Sequence, residues 1–391
     1  MTDHLTAALH RLPTPRCAYL YDTTVLRTRT AQLRTALPPK TTILYAVKAN
    51  GHPDVIHTLA TTCDGLEVAS GGELTLAIQA RARRIVFGGP AKTDTELAAA
   101  TTAGALLNVE SPHELRRLAA LGITADICLR INRTGTPLTG SHTMTGTPTP
   151  FGIDETQLPH VLADIPEGLR VIGFHLHAVS NNLDGAAHAR FLTDAIDWST
   201  RTAHTHDIPL RIVNAGGGLG IDYLTGTTID LTPLSTVTVP DHLELILEPG
   251  RYLTADAGWY ATEVLDLKTT HGRTFAILRG GTHHFRLPAA WGYSHPFTVI
   301  PIDDWPHPYP RLTVRDTPID AVGELCTPRD VLTRNQHVTH LRTGDLLLYP
   351  RAGAYGWDIS HHDFLRNEPP SFITLCIREP PPGTNRSATT T

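Results

Sequence analysis

Between Ile43 and Glu248, short apolar runs alternate with longer stretches of helical spacing. Ile43 to Val47, Gly65 to Ala69, Ile85 to Phe87, Leu106 to Val109, Ala125 to Ile131, Val171 to His177, Leu210 to Val213 and Leu243 to Leu247 have strand length, and most are rich in branched residues. That pattern suits strands buried on both faces. Helical patterns lie between them at Val55 to Thr62, Glu73 to Ala80, Thr95 to Ala103, Pro112 to Leu121 and Ala186 to His204. Eight strands mostly separated by helices, in about 210 residues, predict a (β/α)8 barrel. The polar stretch Asn132 to Pro150 is long enough to read as an active-site loop. Past Arg251 the pattern changes. Thr262 to Lys268, Thr274 to Leu278 and Asp345 to Tyr349 are strand-like, and prolines crowd Pro296 to Pro310. A mainly-β second domain is expected there, joined by the N-terminal strand Cys17 to Tyr21. The expected division is 26–251 for the barrel, 1–25 with 252–380 for the sheet domain, and a Pro- and Thr-rich disordered tail at 381–391.

Composition narrows the function. The hydrophobic share of 41% is that of a globular chain, and the formal charge is only -5. No basic block stands out, which argues against nucleic acid. No apolar run approaches a membrane span, and Met1 to Arg16 lacks the apolar segment of a signal peptide. The five cysteines are scattered, as reduced cytoplasmic thiols would be. The 22 histidines form no metal-ligand spacing, so no metal is expected.

The chain has four lysines, Lys40, Lys48, Lys92 and Lys268, and Lys48 stands where the first barrel run ends. Either it snorkels to water, or it loses hydration, its pKa falls, and it becomes a nucleophile able to form a Schiff base. Catalytic groups of this fold lie just past the strand ends, where Lys48, Glu67, Arg130, His177 and Glu248 all fall. Gly216-Gly217-Gly218 after the seventh run is either a plain turn or a phosphate cradle of backbone N–H groups, with Arg251 as an added contact. Glu248 is either a rim ion-pair partner or the anion for a protonated heterocycle. A lysine for an aldehyde, a phosphate cradle and a carboxylate for a ring nitrogen together describe pyridoxal 5'-phosphate, with His177 against its ring face.

The motifs Tyr45-Ala46-Val47-Lys48-Ala49-Asn50, Glu67-Val68-Ala69-Ser70-Gly71-Gly72-Glu73-Leu74, His177-Ala178-Val179-Ser180, Gly216-Gly217-Gly218-Leu219-Gly220, Glu248-Pro249-Gly250-Arg251, Gly323-Glu324-Leu325-Cys326 and Gly353-Ala354-Tyr355 resemble the barrel-type pyridoxal-phosphate decarboxylases, relatives of diaminopimelate, ornithine and arginine decarboxylases. The match spans nearly the whole chain. It implies an alanine racemase-like TIM barrel with a decarboxylase β-domain. It implies that Lys48 holds the cofactor covalently and that His177 stacks on its ring. Ser180, the three glycines, Gly250, Arg251 and Tyr355 would surround the phosphate. Glu248 would keep the ring nitrogen protonated, and Glu67 and Arg130 would support ring and lysine. Cys326 would reprotonate the α-carbon from the other subunit of a head-to-tail homodimer with interfacial sites.

Basic amino-acid decarboxylases of that family carry an acid directly after this cysteine; here the residue is Thr327. A hydroxyl cannot neutralise a buried ammonium, and an unpaired one costs several kcal/mol. The expected substrate therefore has an anionic or neutral distal group, with Thr327, Arg329, Asp330, Arg286 and His284 as candidate contacts. His283-His284 and Phe174 to Asp184 resemble the siderophore branch, whose substrates are conjugates such as citryl-diaminopropionate. The alternatives are a diaminopimelate-type decarboxylase, a racemase of the same fold, which would usually place an arginine where Glu248 stands, and a non-catalytic cofactor-binding relative.

Overall fold

The structure, a computed structural model, describes residues 3–135 and 138–375. The expected tail at 381–391 lies outside the described residues, as does Cys376. The chain opens with α1 (Asp3–His10), β1 (Cys17–Asp22), α2 (Thr23–Ala36), β2 (Thr41–Ala46), α3 (Pro53–Thr62), β3 (Gly65–Val68), α4 (Gly71–Gln79), β4 (Ile85–Phe87), α5 (Asp94–Thr102), β5 (Leu106–Val109), α6 (Pro112–Ala120) and β6 (Ala125–Asn132). It continues with β7 (His142–Thr143), β8 (Ile153–Asp154), α7 (Leu158–Ala163), β9 (Leu169–His175), β10 (Val179–Ser180), α8 (Gly185–Thr205), β11 (Ile212–Asn214), β12 (Glu244–Leu247) and α9 (Arg251–Thr254). Beyond these lie β13 (Gly258–Thr270), β14 (Arg273–Leu278), α10 (Leu287–Trp291), β15 (Thr298–Ile300), β16 (Thr313–Val322), β17 (Val331–Arg342), β18 (Leu346–Tyr349) and β19 (Ser371–Leu375).

The parallel order β2-β3-β4-β5-β6-β9-β11-β12 closes on itself because β12 pairs β2 and β5 pairs β6. This is the (β/α)8 barrel that the run spacing predicts. Its helices begin where the sequence offers caps. Ser70 accepts from Glu73 N at α4, Ser111 accepts from Glu114 N ahead of Pro112 at α6, and Thr93 with Glu96 forms a capping box at α5. Leu44, Val86, Cys128, Ile172, Ile212 and Ile246 form a separate buried cluster, an apolar plug across the barrel interior. The long loop after β6 is not featureless: β7 within it pairs antiparallel with β10, and its His142 lines the cavity that holds Lys48.

A second sheet runs β15-β18-β13-β14-β16-β17. β1 adds to it, antiparallel to β13 and parallel to β19. The two sheets' domains meet beside the loop after β2. Asn50 Nδ2 donates to Gly353 O at 2.9 Å, and Tyr355 N donates to Ala49 O at 2.8 Å. Gly353 cannot be larger, since an added Cβ would lie 2.0 Å from Thr254 O. Among the described residues no helix is long and apolar enough to cross a membrane.

A buried ion pair joins the segment after β4 to the start of α6, beside Glu110. Lys92 Nζ lies 2.8 Å from Glu114 Oε1, with side chains 1% and 4% exposed. Removing one member leaves a buried charge without a partner. Lys92→Met should destabilise the protein by about 3–5 kcal/mol, measured as a lower denaturant midpoint at unchanged slope; an unshifted midpoint would show that the pair carries no such weight.

Candidate functional site

Strand parity places the chemistry. Side chains two residues apart on a strand share a face. Cys128, Ile212 and Ile246 belong to the apolar plug, so Arg130, Asn214 and Glu248 stand one layer above it at the mouth. There a cavity of about 450 Å³ is walled by Lys48, Glu67, Arg130, His177, Ser180 and Glu248. Gly217, Gly218, Gly250, Arg251 and Tyr355 complete the part of the wall that the sequence singled out.

Lys48 sits in a single 3-10 turn after β2, its side chain 46% exposed as a wall of this cavity. Nζ donates to Glu67 Oε2 at 2.6 Å. Its proton affinity corrects the sequence expectation of a lowered pKa. Desolvation lowers it, but the carboxylate of Glu67, with Tyr355 and Glu248, outweighs that and raises it. Desolvation in turn raises the pKa of Glu67, against the pull of Lys48. Glu248 is held down to about 2: burial opposes ionisation, but His175, Lys48 and a hydrogen bond from Asn214 win. Asn214 Nδ2 donates to Glu248 Oε1 at 2.6 Å, and His175 Nε2 lies 3.4 Å from Oε2.

His177 is neutral. Desolvation lowers its pKa well below the usual value, and Arg130 adds to this. Its Nδ1 accepts from Gly217 N at 3.1 Å. That contact revises the picture of the glycine run as a set of converging donors. Gly217 N goes to His177, Gly216 N goes to Asn214 Oδ1 at 2.9 Å, and Gly216 does not line the cavity. The glycines are needed for close approach: an added Cβ would lie 2.5 Å from His177 Cβ at Gly216 and 2.5 Å from Glu248 O at Gly217. Gly250 does the same for the lysine turn, where a Cβ would lie 2.8 Å from Ala49 Cβ. Arg251 Nη1 donates to Tyr223 Oη at 2.6 Å, and its guanidinium lies 4.4 Å and 4.6 Å from the ring centres of Trp291 and Tyr355.

The remaining candidates lie elsewhere. Arg286, Thr327 and Arg329 line a second cavity of about 770 Å³ on the other domain. Cys326 is exposed and lines neither cavity. His284 and Asp330, expected at the substrate, are 1% and 2% exposed and line neither. Asp330 instead accepts from Thr282 N at 2.6 Å and Leu325 N at 2.9 Å, so its carboxylate serves the backbone. His284 Nδ1 lies 3.5 Å from Cys17 Sγ in a packed aromatic layer.

Three residues absent from the sequence reading join the site: His175, Asn214 and Glu110. His175 precedes His177 by two, and Asn214 ends the strand before the glycines, so parity would have found both. Glu110 gave no such signal. Its Oε1 accepts from Arg130 Nη1 at 2.8 Å and Gly89 N at 2.7 Å, and its Oε2 from Gly152 N at 3.1 Å.

Comparison with known proteins agrees with this arrangement. The family model "Pyridoxal-dependent decarboxylase, pyridoxal binding domain" matches residues 24–255. The 2-[(L-alanin-3-ylcarbamoyl)methyl]-2-hydroxybutanedioate decarboxylase of Staphylococcus aureus is 38% identical over 386 residues, covering 92% of this chain and 94% of that protein. Diaminopimelate decarboxylase of Deinococcus radiodurans is 33% identical over 368 residues, covering 93% of this chain and 90% of that protein. The crystal structure of diaminopimelate decarboxylase from Helicobacter pylori complexed with L-lysine superposes with a TM-score of 0.83 at 27% identity, covering 95% of this chain and 94% of that one. The donor set suits pyridoxal phosphate: one cavity joins a lysine, a carboxylate held ionised, a neutral imidazole, a hydroxyl and a guanidinium. His175, whose Nδ1 is buried without a hydrogen-bond partner, also lines it.

Glu67 keeps the proton on Lys48, so its removal should release that proton more easily. Glu67→Gln should lower the pH midpoint at which Lys48 reacts with trinitrobenzenesulfonate by about 1–3 units. A midpoint that stays or rises would contradict the pairing.

Proposed function

The chain belongs to the pyridoxal-dependent decarboxylases, and from that premise we propose that it removes the α-carboxylate of an amino-acid conjugate with an anionic distal end. The enzyme is a carboxy-lyase and its cofactor is pyridoxal 5'-phosphate. The observation that carries the substrate class is Thr327, beside Arg329, after Cys326. Neither side chain could neutralise a distal ammonium, whereas a guanidinium suits a carboxylate. The printed name of the Staphylococcus aureus relative describes such a conjugate, L-alanine joined at C3 through an amide to a hydroxybutanedioate.

Bound pyridoxal phosphate supplies an electron sink for the pair left on the α-carbon when CO2 departs. Lys48 is the residue that would hold its aldehyde. Glu248, kept ionised, would hold the proton on the ring nitrogen. His177, neutral and fixed by Gly217 N, would lie flat against the ring. Ser180, the Gly218 backbone, Arg251 and Tyr355 would receive the phosphate. Glu67 orients the Lys48 amine, and Arg130, fixed by Glu110, closes the far wall. Cys326 would deliver the proton that replaces the lost carboxylate.

Cys326 lies outside the Lys48 cavity of its own chain, which supports a homodimer in which each cysteine serves the other protomer's lysine. The described cysteines are all unpaired, which supports a reducing, cytoplasmic setting.

Two measurements test this reading. CO2 release should be faster from a citrate–diaminopropionate amide than from free lysine, ornithine or diaminopimelate, and absent in Lys48→Ala; preference for a free diamino acid would sink the substrate class. Lys48→Ala and Cys326→Ala, each near-inactive alone, should regain activity when co-expressed, because one of the two sites in a mixed dimer keeps both residues. No recovery would argue against shared sites.

A further inference from the structure

The larger cavity, about 770 Å³, is ringed by Arg286, Arg329 and Arg334 together with His361. It lies between α10, the start of β17 and the loop that carries Cys326. Each arginine is fixed at its backbone by a hydroxyl. Arg286 N donates to Ser360 Oγ at 3.0 Å, Arg329 N to Thr327 Oγ1 at 3.3 Å, and Arg334 N to Ser294 Oγ at 2.7 Å. None of the three guanidinium groups forms an ion pair with a described residue. Arginines elsewhere in this domain do: Arg279 with Glu324, Arg311 and Arg342 with Asp345.

The cavity lining contains no acid. Asp330, the acid on the same loop, is turned inward onto Thr282 N and Leu325 N. His361 Nδ1 is buried without a hydrogen-bond partner. Burial and then the nearby charge of Arg286 hold its pKa below the usual value. Like charges gathered on a concave surface repel one another until an anion joins them, and planar guanidinium forks match carboxylates two bonds at a time. Apolar Pro288, Val331 and Leu332 in the same wall suit a methylene chain between carboxylates.

We infer that this cavity is the subsite for the polycarboxylate arm of the substrate, with Arg334 and His361 joining Arg286 and Arg329 in reading it. The inference rests on the conjugate and dimer reading above. The cavity flanks the Cys326 loop, so a dimer that brings this loop to the partner's lysine brings the arginines too. The arm then sits on one protomer while the amino-acid end reaches the lysine of the other.

The test is steady-state kinetics of the holoenzyme with the citrate–diaminopropionate amide, on wild type, Arg334→Gln and Arg329→Gln, with free citrate as inhibitor. Citrate should compete with substrate on the wild type. Each variant should raise KM and weaken citrate inhibition by on the order of tenfold while kcat holds, the size expected from losing a charged hydrogen bond. If the wild type turns over the amide but both variants keep its KM and its citrate inhibition, the subsite is wrong and the proposed reaction stands. If the wild type prefers a free diamino acid, the reaction reading fails and takes the subsite with it.

Discussion

Lys48 and Glu67, 2.6 Å apart where β2 and β3 run side by side, set the terms on which the barrel mouth holds its other charges. A carboxylate buried as deeply as Glu67 favours its neutral form unless a cation is near. With Lys48 beside it, positive charge also reaches Glu248, which His175 and Asn214 hold ionised. Arg130 completes the pattern through Glu110. Each charge is tolerated because its neighbour is present, so the site is one network rather than a set of separate residues.

The second sheet is part of that network. The turn bearing Lys48 is held on one side by Gly250, whose lack of a side chain lets β12's end approach Ala49, and on the other by Gly353 and Tyr355. Tyr355 also reaches the cavity, where its ring stands over Arg251. Residues three hundred positions from Lys48 in the chain therefore fix the angle at which it enters. Clamping by both domains explains why a long, flexible side chain can be directed at one point.

Much of this was legible beforehand. Eight short buried runs define a closed barrel, and most of the special residues stand at or just past the C-terminal ends of those runs, on one edge. His175 and Asn214 were readable by the same rule applied one step further. What the sequence could not show was proximity between segments. The pKa of Lys48 depends on Glu67, nineteen residues away, so burial alone suggested the wrong direction. Asp330 and His284 look like site residues beside Cys326 and Arg286, but Asp330 turns its carboxylate onto the backbone amides of Thr282 and Leu325, and His284 packs against Cys17 and Tyr260. Glu110 sits in an ordinary strand-to-helix junction, and only the fold reveals that three segments converge on its carboxylate. The Gly216 and Gly217 amides looked free as donors because their acceptors, Asn214 and His177, are side chains whose orientation no pattern encodes.

The central claim is that Lys48, of the chain's four lysines, carries the cofactor. Borohydride reduction of protein loaded with pyridoxal phosphate, followed by peptide mapping, tests it directly. The account predicts one stoichiometric label on the peptide containing Lys48, with Lys40, Lys92 and Lys268 unmodified. A label on Lys92 or spread over the exposed lysines, with Lys48 intact, would contradict it.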